Sequence, residues 1–176
     1  MFARTTELLE AHGYEHYEVS NYARPGFRCR HNLAYWQHEE YLGLGPAAHS
    51  FRLAADGRSG RRWWNAADLS TYVERLGRGE PPVAGEEQLG PAELLAERIF
   101  LGLRDGGLDL GTLRRWLGYD LMAERGETVR GLLRDGRAEL DGKLLRLTRT
   151  GYPVCDEIAD RLTPRTGNPD EARSRG

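Results

Sequence analysis

The chain has 176 residues, 25 Lys+Arg against 27 Asp+Glu for a formal net charge of −2, and two cysteines. That length holds one domain or two small ones and falls short of a complete eight-fold β/α barrel, which takes about 200 residues or more. The balanced charge offers no basic field for nucleic acid. No apolar run approaches the ~18 residues of a membrane span, so no integral membrane segment is expected. Residues 1–7 lack the apolar core of a secretory signal. Cys29 and Cys155 are too few and too far apart for a disulfide framework or for the usual four-thiolate iron–sulfur cluster, and they fit a reducing cytoplasm.

In chain order, Thr5 or Thr6 caps a short helix carrying Leu8, Leu9 and Ala11, which Gly13 ends. Residues 14–22 alternate, with Tyr17, Val19 and Asn21 on one side and His16, Glu18 and Ser20 on the other, which predicts a strand stopped by Pro25-Gly26. Residues 27–55 are aromatic, His-rich and punctuated by Gly, and read as loops; residues 56–62 read as a hairpin tip or exposed loop. A helix is predicted over 67–76, with Leu69, Tyr72, Val73 and Leu76 on one face. Residues 77–90, containing Pro81-Pro82, are the best linker.

From Pro91 a second small domain is predicted. It has a central helix over 92–104, a helix over 110–117 capped by Asp109, a helix over 120–134 and a hairpin turning at Asp141-Gly142. A last helix carries Val154, Cys155, Ile158 and Leu162, and it accommodates Pro153 only at its first turn. The tail, 163–176, is polar and predicted disordered. Three helices, a hairpin and a closing helix make winged-helix order, so a DNA-binding module is one reading. Mixed charge along the would-be recognition helix (Glu124, Arg125, Glu127, Arg130) argues against it, because phosphate contacts supply most of such affinity.

Three stretches carry chemistry. In Cys29-Arg30-His31-Asn32-Leu33-Ala34-Tyr35-Trp36, imidazole and thiolate are possible iron or heme ligands, and the aromatic faces can stack on a macrocycle. The same residues also read as a hydrogen-bonded packing histidine and an ordinary thiol. In Tyr41-Leu42-Gly43-Leu44-Gly45-Pro46-Ala47-Ala48-His49-Ser50, closely spaced glycines let backbone approach a ligand or a neighbouring strand. With no periodic helix directly after it, this is no nucleotide cradle. In Tyr17-Glu18-Val19-Ser20-Asn21, polar residues at a strand end line a pocket if the scaffold is a β/α barrel, and otherwise belong to a mixed edge strand.

Taken together and in order, several segments resemble the family of radical-SAM heme chaperones, the HemW proteins, also labelled oxygen-independent coproporphyrinogen III oxidase-like. They are Tyr17-Glu18-Val19-Ser20-Asn21, Arg24-Pro25-Gly26, His31-Asn32-x-x-Tyr35-Trp36, Leu42-Gly43-Leu44-Gly45-Pro46-x-Ala48-His49-Ser50, Trp63-Trp64-Asn65, Glu97-Arg98-x-Phe100-Leu101-Gly102-Leu103-Arg104 and Leu147-Thr148-x-x-Gly151. The coproporphyrinogen dehydrogenases of that group share the layout and lack the His-Asn-x-x-Tyr-Trp stretch, so the resemblance favours the chaperone branch.

The resemblance implies heme binding, with His31 as axial-ligand candidate, Asn32, Tyr35 and Trp36 beside it, and Cys29 as a lesser candidate. It further implies a barrel-mouth pocket near Glu18, Ser20, Asn21 and His49, and recipient hemoproteins as partners. The family's Cys-x-x-x-Cys-x-x-Cys, which holds a 4Fe-4S cluster and S-adenosylmethionine, is absent here. Ala47 stands where the family usually has Gly.

The expectation is therefore the C-terminal part of such a protein, with an N-terminal radical-SAM half missing. The fold class is an α/β remnant of a radical-SAM partial β/α barrel (its last helix and strand plus loops), followed by a mostly α, winged-helix-like domain. In domains, residues 1–62 are the barrel end with the heme-motif loop, 63–90 a helix and linker, 91–162 the HemN C-terminal-type domain, and 163–176 the tail. Without cluster ligands this chain is expected to perform no radical chemistry. The alternatives are part of a coproporphyrinogen III oxidase-like enzyme of porphyrin biosynthesis and, least favoured, a winged-helix nucleic-acid module.

Overall fold

The computed structural model describes residues 2–164. The tail read at 163–176 lies, from residue 165 on, outside the described residues.

Helix α1 (Phe2–Ala11) leads into β1 (Glu15–His16), which pairs antiparallel with β2 (Tyr22–Ala23). Thr6 is the buried anchor of α1, its hydroxyl 2.7 Å from the Tyr22 hydroxyl. The strand expected across 14–22 is thus a two-residue hairpin arm, and residues 17–21 turn the chain. Every strand pairing among the described residues is antiparallel, so the expected last strand of a parallel β/α barrel is not formed.

The tract expected as loop contains α2 (Arg30–Trp36) and β3 (His49–Leu53). β3 and β4 (Gly60–Asn65) form the hairpin anticipated near 56–62, closed by the Ala54 N–H on the Ser59 carbonyl. Helix α3 (Leu69–Gly77) starts at Asp68, whose carboxylate accepts the Thr71 N–H at 2.8 Å. Its Leu69, Val73 and Leu76 are exposed, while Tyr72 reaches inward to accept the Gly45 N–H.

The expected linker holds β5 (Val83–Leu89), third strand of the sheet β3-β4-β5. Glu86 and Glu87, on opposite faces of β5, are both paired with β4, Glu86 with Arg61 and Glu87 with Arg62. Gly43 backs onto the His49 carbonyl so closely that a Cβ would lie 2.1 Å from that oxygen. The glycine stretch therefore serves approach to a neighbouring strand.

The C-terminal part follows the predicted helix order. It runs α4 (Pro91–Gly102), β6 (Leu108–Asp109), α5 (Leu110–Leu117), α6 (Leu121–Arg134), β7 (Ala138–Asp141), β8 (Leu144–Leu147), a 3₁₀ turn at Tyr152–Val154 that takes Pro153, and α7 (Cys155–Leu162). Asp109 caps α5 as anticipated, accepting the Thr112 N–H at 3.0 Å. Gly142, at φ 60, starts the two-residue turn between β7 and β8. β6 joins as an unanticipated third strand, giving the order β6-β8-β7.

Ile99, Leu103, Leu113, Leu121, Val129, Leu145, Ile158 and Leu162 form the main core. Each such side chain contributes about 1.5–3 kcal/mol when fully buried. A smaller core of Phe51, Leu89 and Leu94 fastens the β3-β4-β5 sheet to α4. No helix among the described residues is long and apolar enough to cross a membrane.

Candidate functional site

The seven-residue helix α2 begins at Cys29, whose side chain makes no capping bond. On a helix, residues four apart share a side, so the His-Asn-x-x-Tyr-Trp stretch divides into two pairs. His31 and Tyr35 form the outer pair: both are exposed, and their rings meet edge to face with centroids 4.9 Å apart. Tyr35 then touches Tyr41 at 4.5 Å, and Tyr41 faces Phe51 of β3 at 6.1 Å.

Asn32 and Trp36 form the inner pair, both half-buried. The Trp36 indole N–H is buried without a hydrogen-bond partner, and Trp36 lines a cavity of about 220 Å³ with Arg98, Asp105 and Leu113. Cys29 is exposed, and its backbone N–H donates to the Tyr17 hydroxyl at 3.4 Å.

Beyond α2 the chain turns through His38 in the left-handed region, at φ 60. His38 is buried and stacks flat on Phe51, with ring centroids 4.5 Å apart and planes 6° apart. Its Nε2 lies 2.9 Å from Glu97 Oε2, at ion-pair distance rather than in an aligned hydrogen bond. Both Glu97 oxygens accept from Arg62 of β4, at 2.7 and 2.8 Å, and Arg62 also donates to Glu87 at 2.7 Å.

Burial by itself raises the Glu97 pKa, but the His38 and Arg62 contacts outweigh it and hold the carboxyl below the usual range. Burial likewise opposes the charge on Arg62, and its carboxylate partners overcome that and raise its pKa. The Tyr41 hydroxyl, beside Arg62, is pushed up by burial.

This network closes one side of a cleft of about 500 Å³, lined by Tyr35, Tyr41, Arg62, Glu97, Phe100 and Leu101 among others. That volume lies within the ~300–1,000 Å³ of small-molecule sites. Tyr35 is shared: one side of it meets the exposed His31 imidazole, another the cleft.

The other sequence candidates do not converge there. Glu18 is fully buried in the β1–β2 turn and accepts from the Ser20 N–H at 3.1 Å and the Ser20 hydroxyl at 3.3 Å. The Asn21 carbonyl accepts the Tyr17 N–H, closing the same turn. His49 is on β3, its ring 5.7 Å from that of Trp64. Glu18, Ser20 and Asn21 thus lie in the β1–β2 turn and His49 on β3.

His38 and Arg62 escaped the sequence reading, which took in Tyr41 only as the first residue of the glycine-spaced stretch. They carry no periodic or motif signal, and only the fold brings them to Glu97. An iron–sulfur cluster does not fit this chain's cysteines. Cys155 is buried in the main core, where burial pushes its thiol pKa up, while Cys29 is exposed at α2. Among the described residues no group of three or more His, Cys, Asp or Glu is placed to hold a metal ion.

The HemN C-terminal domain family matches residues 89–154. Heme chaperone HemW of Mycobacterium tuberculosis (strain H37Rv) is 39% identical over 155 residues, covering 88% of this chain and 36% of that protein. Heme chaperone HemW of Lactococcus lactis is 35% identical, covering 92% and 41%. The mouse mitochondrial radical S-adenosyl methionine domain-containing protein 1 is 32% identical, covering 93% and 38%. In these alignments the chain spans about two fifths of each curated relative's length. Among solved structures, the radical-SAM coproporphyrinogen III oxidase HemN of Escherichia coli superposes with a TM-score of 0.65 over 92% of this chain and 39% of its own. Its identity is 17%, so this likeness is one of fold.

Proposed function

We propose, from the premise that this chain is related to the C-terminal portion of the radical-SAM heme chaperone HemW, that it holds heme at the outer face of α2 for transfer to recipient hemoproteins. The observation that carries the reading is the exposed His31 imidazole set edge-on to Tyr35 beside an apolar cleft. A neutral imidazole nitrogen is a common axial ligand of heme iron, and aromatic faces favour a flat macrocycle. One exposed ligand on a short helix leaves the iron's other axial side open, which suits cargo that is to be passed on.

Asn32 and Trp36 serve as the buried footing that fixes α2, and Cys29 is the lesser ligand candidate at its start. Glu18, Ser20, Asn21 and His49 take structural roles in this reading. The 4Fe-4S cluster and S-adenosylmethionine belong to longer relatives, so the oxidase alternative finds no reactive centre in this chain's own residues. Residues 91–162 are read as a winged-helix-like cap without a nucleic-acid role. The free cysteines support a cytoplasmic setting.

Titrating the full chain with hemin tests this. The wild type is expected to shift the Soret band with a saturable single-site isotherm, and His31→Ala to lose the shift while keeping its far-UV circular dichroism. An unchanged hemin spectrum with the wild type, or a His31→Ala titration identical to it, refutes the reading.

A further inference from the structure

The cleft beside His31 has apolar walls and a carboxylate-rich rim, and its cations are already committed. Tyr35, Tyr41, Ala96, Phe100, Leu101 and Ala159 supply the walls. Asp156 and Asp160 project from α7, both exposed, and Glu97 stands on α4. The lining guanidinium is that of Arg62, and Glu87 and Glu97 bind it. Arg104, nearby, is held by Asp156 and the Phe100 carbonyl and lies over the Phe100 ring. Arg125 and Arg161 share with Asp160 a separate cavity, also lined by Thr128 and Thr163. No uncommitted cation among the cleft-lining residues is left to meet a ligand's carboxylate.

We propose that this cleft takes the carboxylate-free edge of a tetrapyrrole and turns its propionates to solvent, so that it selects against porphyrins bearing a carboxylate on every pyrrole. The inference rests on the heme-binding reading and deepens it. Iron protoporphyrin carries both carboxylates on one edge and presents an apolar edge opposite. Iron coproporphyrin carries one on each pyrrole, so any edge entering the cleft brings a carboxylate toward the exposed Asp160, while the Asp156 charge is taken up by Arg104. Like charges brought together disfavour the complex, and at an exposed rim the effect is screened by salt.

The test titrates the full chain with hemin and with iron coproporphyrin III under identical ionic strength. Hemin is expected to bind about tenfold more tightly, equivalent to about 1.4 kcal/mol. Asp160→Asn should bring that ratio close to unity, with circular dichroism confirming the fold. Ala96→Trp, which fills the cleft, should weaken hemin while leaving the fold intact. Equal affinity for the two porphyrins overturns the proposal. A preference that persists in the Asp160→Asn variant, or hemin binding untouched by a folded Ala96→Trp variant, overturns it as well. If neither porphyrin shifts its Soret band, the heme-binding reading itself fails, a result distinct from binding without selectivity.

Discussion

Ala47 sits at φ 57, in the left-handed region that favours glycine, within the glycine-spaced turn before β3. Its N–H donates to the Ala66 carbonyl at 3.0 Å, so the strained conformation is tied to the segment just after β4. A side chain there costs about 1–2 kcal/mol, while glycine gives back about 0.5–1 kcal/mol through its freer unfolded chain. Ala47→Gly is therefore expected to stabilise the protein by about 0.5–1 kcal/mol, seen as a higher urea midpoint with an unchanged m-value. A lower midpoint would show that the Ala47 methyl contributes packing that outweighs the strain. The family resemblance had already marked this residue as unusual, and the backbone angle gives the physical reason.

At the scale of elements, Glu97 joins three of them: His38 after α2, Arg62 on β4 and α4 itself. Because its folded pKa lies below the ordinary value of about 4.3, the contribution is present above that pH and is lost as pH falls through the folded value. Glu97→Gln should cost about 1–2 kcal/mol at pH 7, and the deficit against wild type should narrow below about pH 4. A deficit constant with pH, measured by urea unfolding at both pH values, would mean that packing and not charge joins these elements.

Element type was legible where local chemistry decides it. The Asp109 cap, the turn that starts at Gly142 and the Leu/Ile stripe of α4 each act within a few residues. It failed where distant pairing decides. Alternation in residues 14–22 says nothing of how long a partner strand is, and only Tyr22 and Ala23 are placed to pair. β5 looked like a linker because Pro81-Pro82 precede it and it carries Glu86 and Glu87, yet Arg61 and Arg62 on β4 neutralise those charges. α2 is too short for its periodicity to stand out, although its motif residues were recognised individually.

For the whole molecule, the buried apolar residues are unevenly distributed. The main core runs from Leu95 to Leu162, whereas between residues 2 and 36 only Thr6, Tyr17, Glu18 and Ala23 are buried. Amides of α4, α6, β8 and α7 should exchange most slowly and those of α1, β1, β2 and α2 fastest. Uniform protection across the two regions would contradict this distribution of stability. Helix α2 lies in this less buried part, which fits the proposed role of a face that receives and releases a large planar ligand.

The central claim is that the His31 imidazole ligates heme iron, and chemical rescue tests it most directly. His31→Gly removes the ligand and leaves a space that free imidazole can enter. The account predicts that ferric hemin with wild-type protein gives an imidazole-ligated electronic and paramagnetic resonance signature. His31→Gly should lose that signature, and added imidazole should restore it in the variant at concentrations that leave hemin alone unchanged. The same signature in His31→Gly without imidazole would contradict the claim and place the iron on another residue.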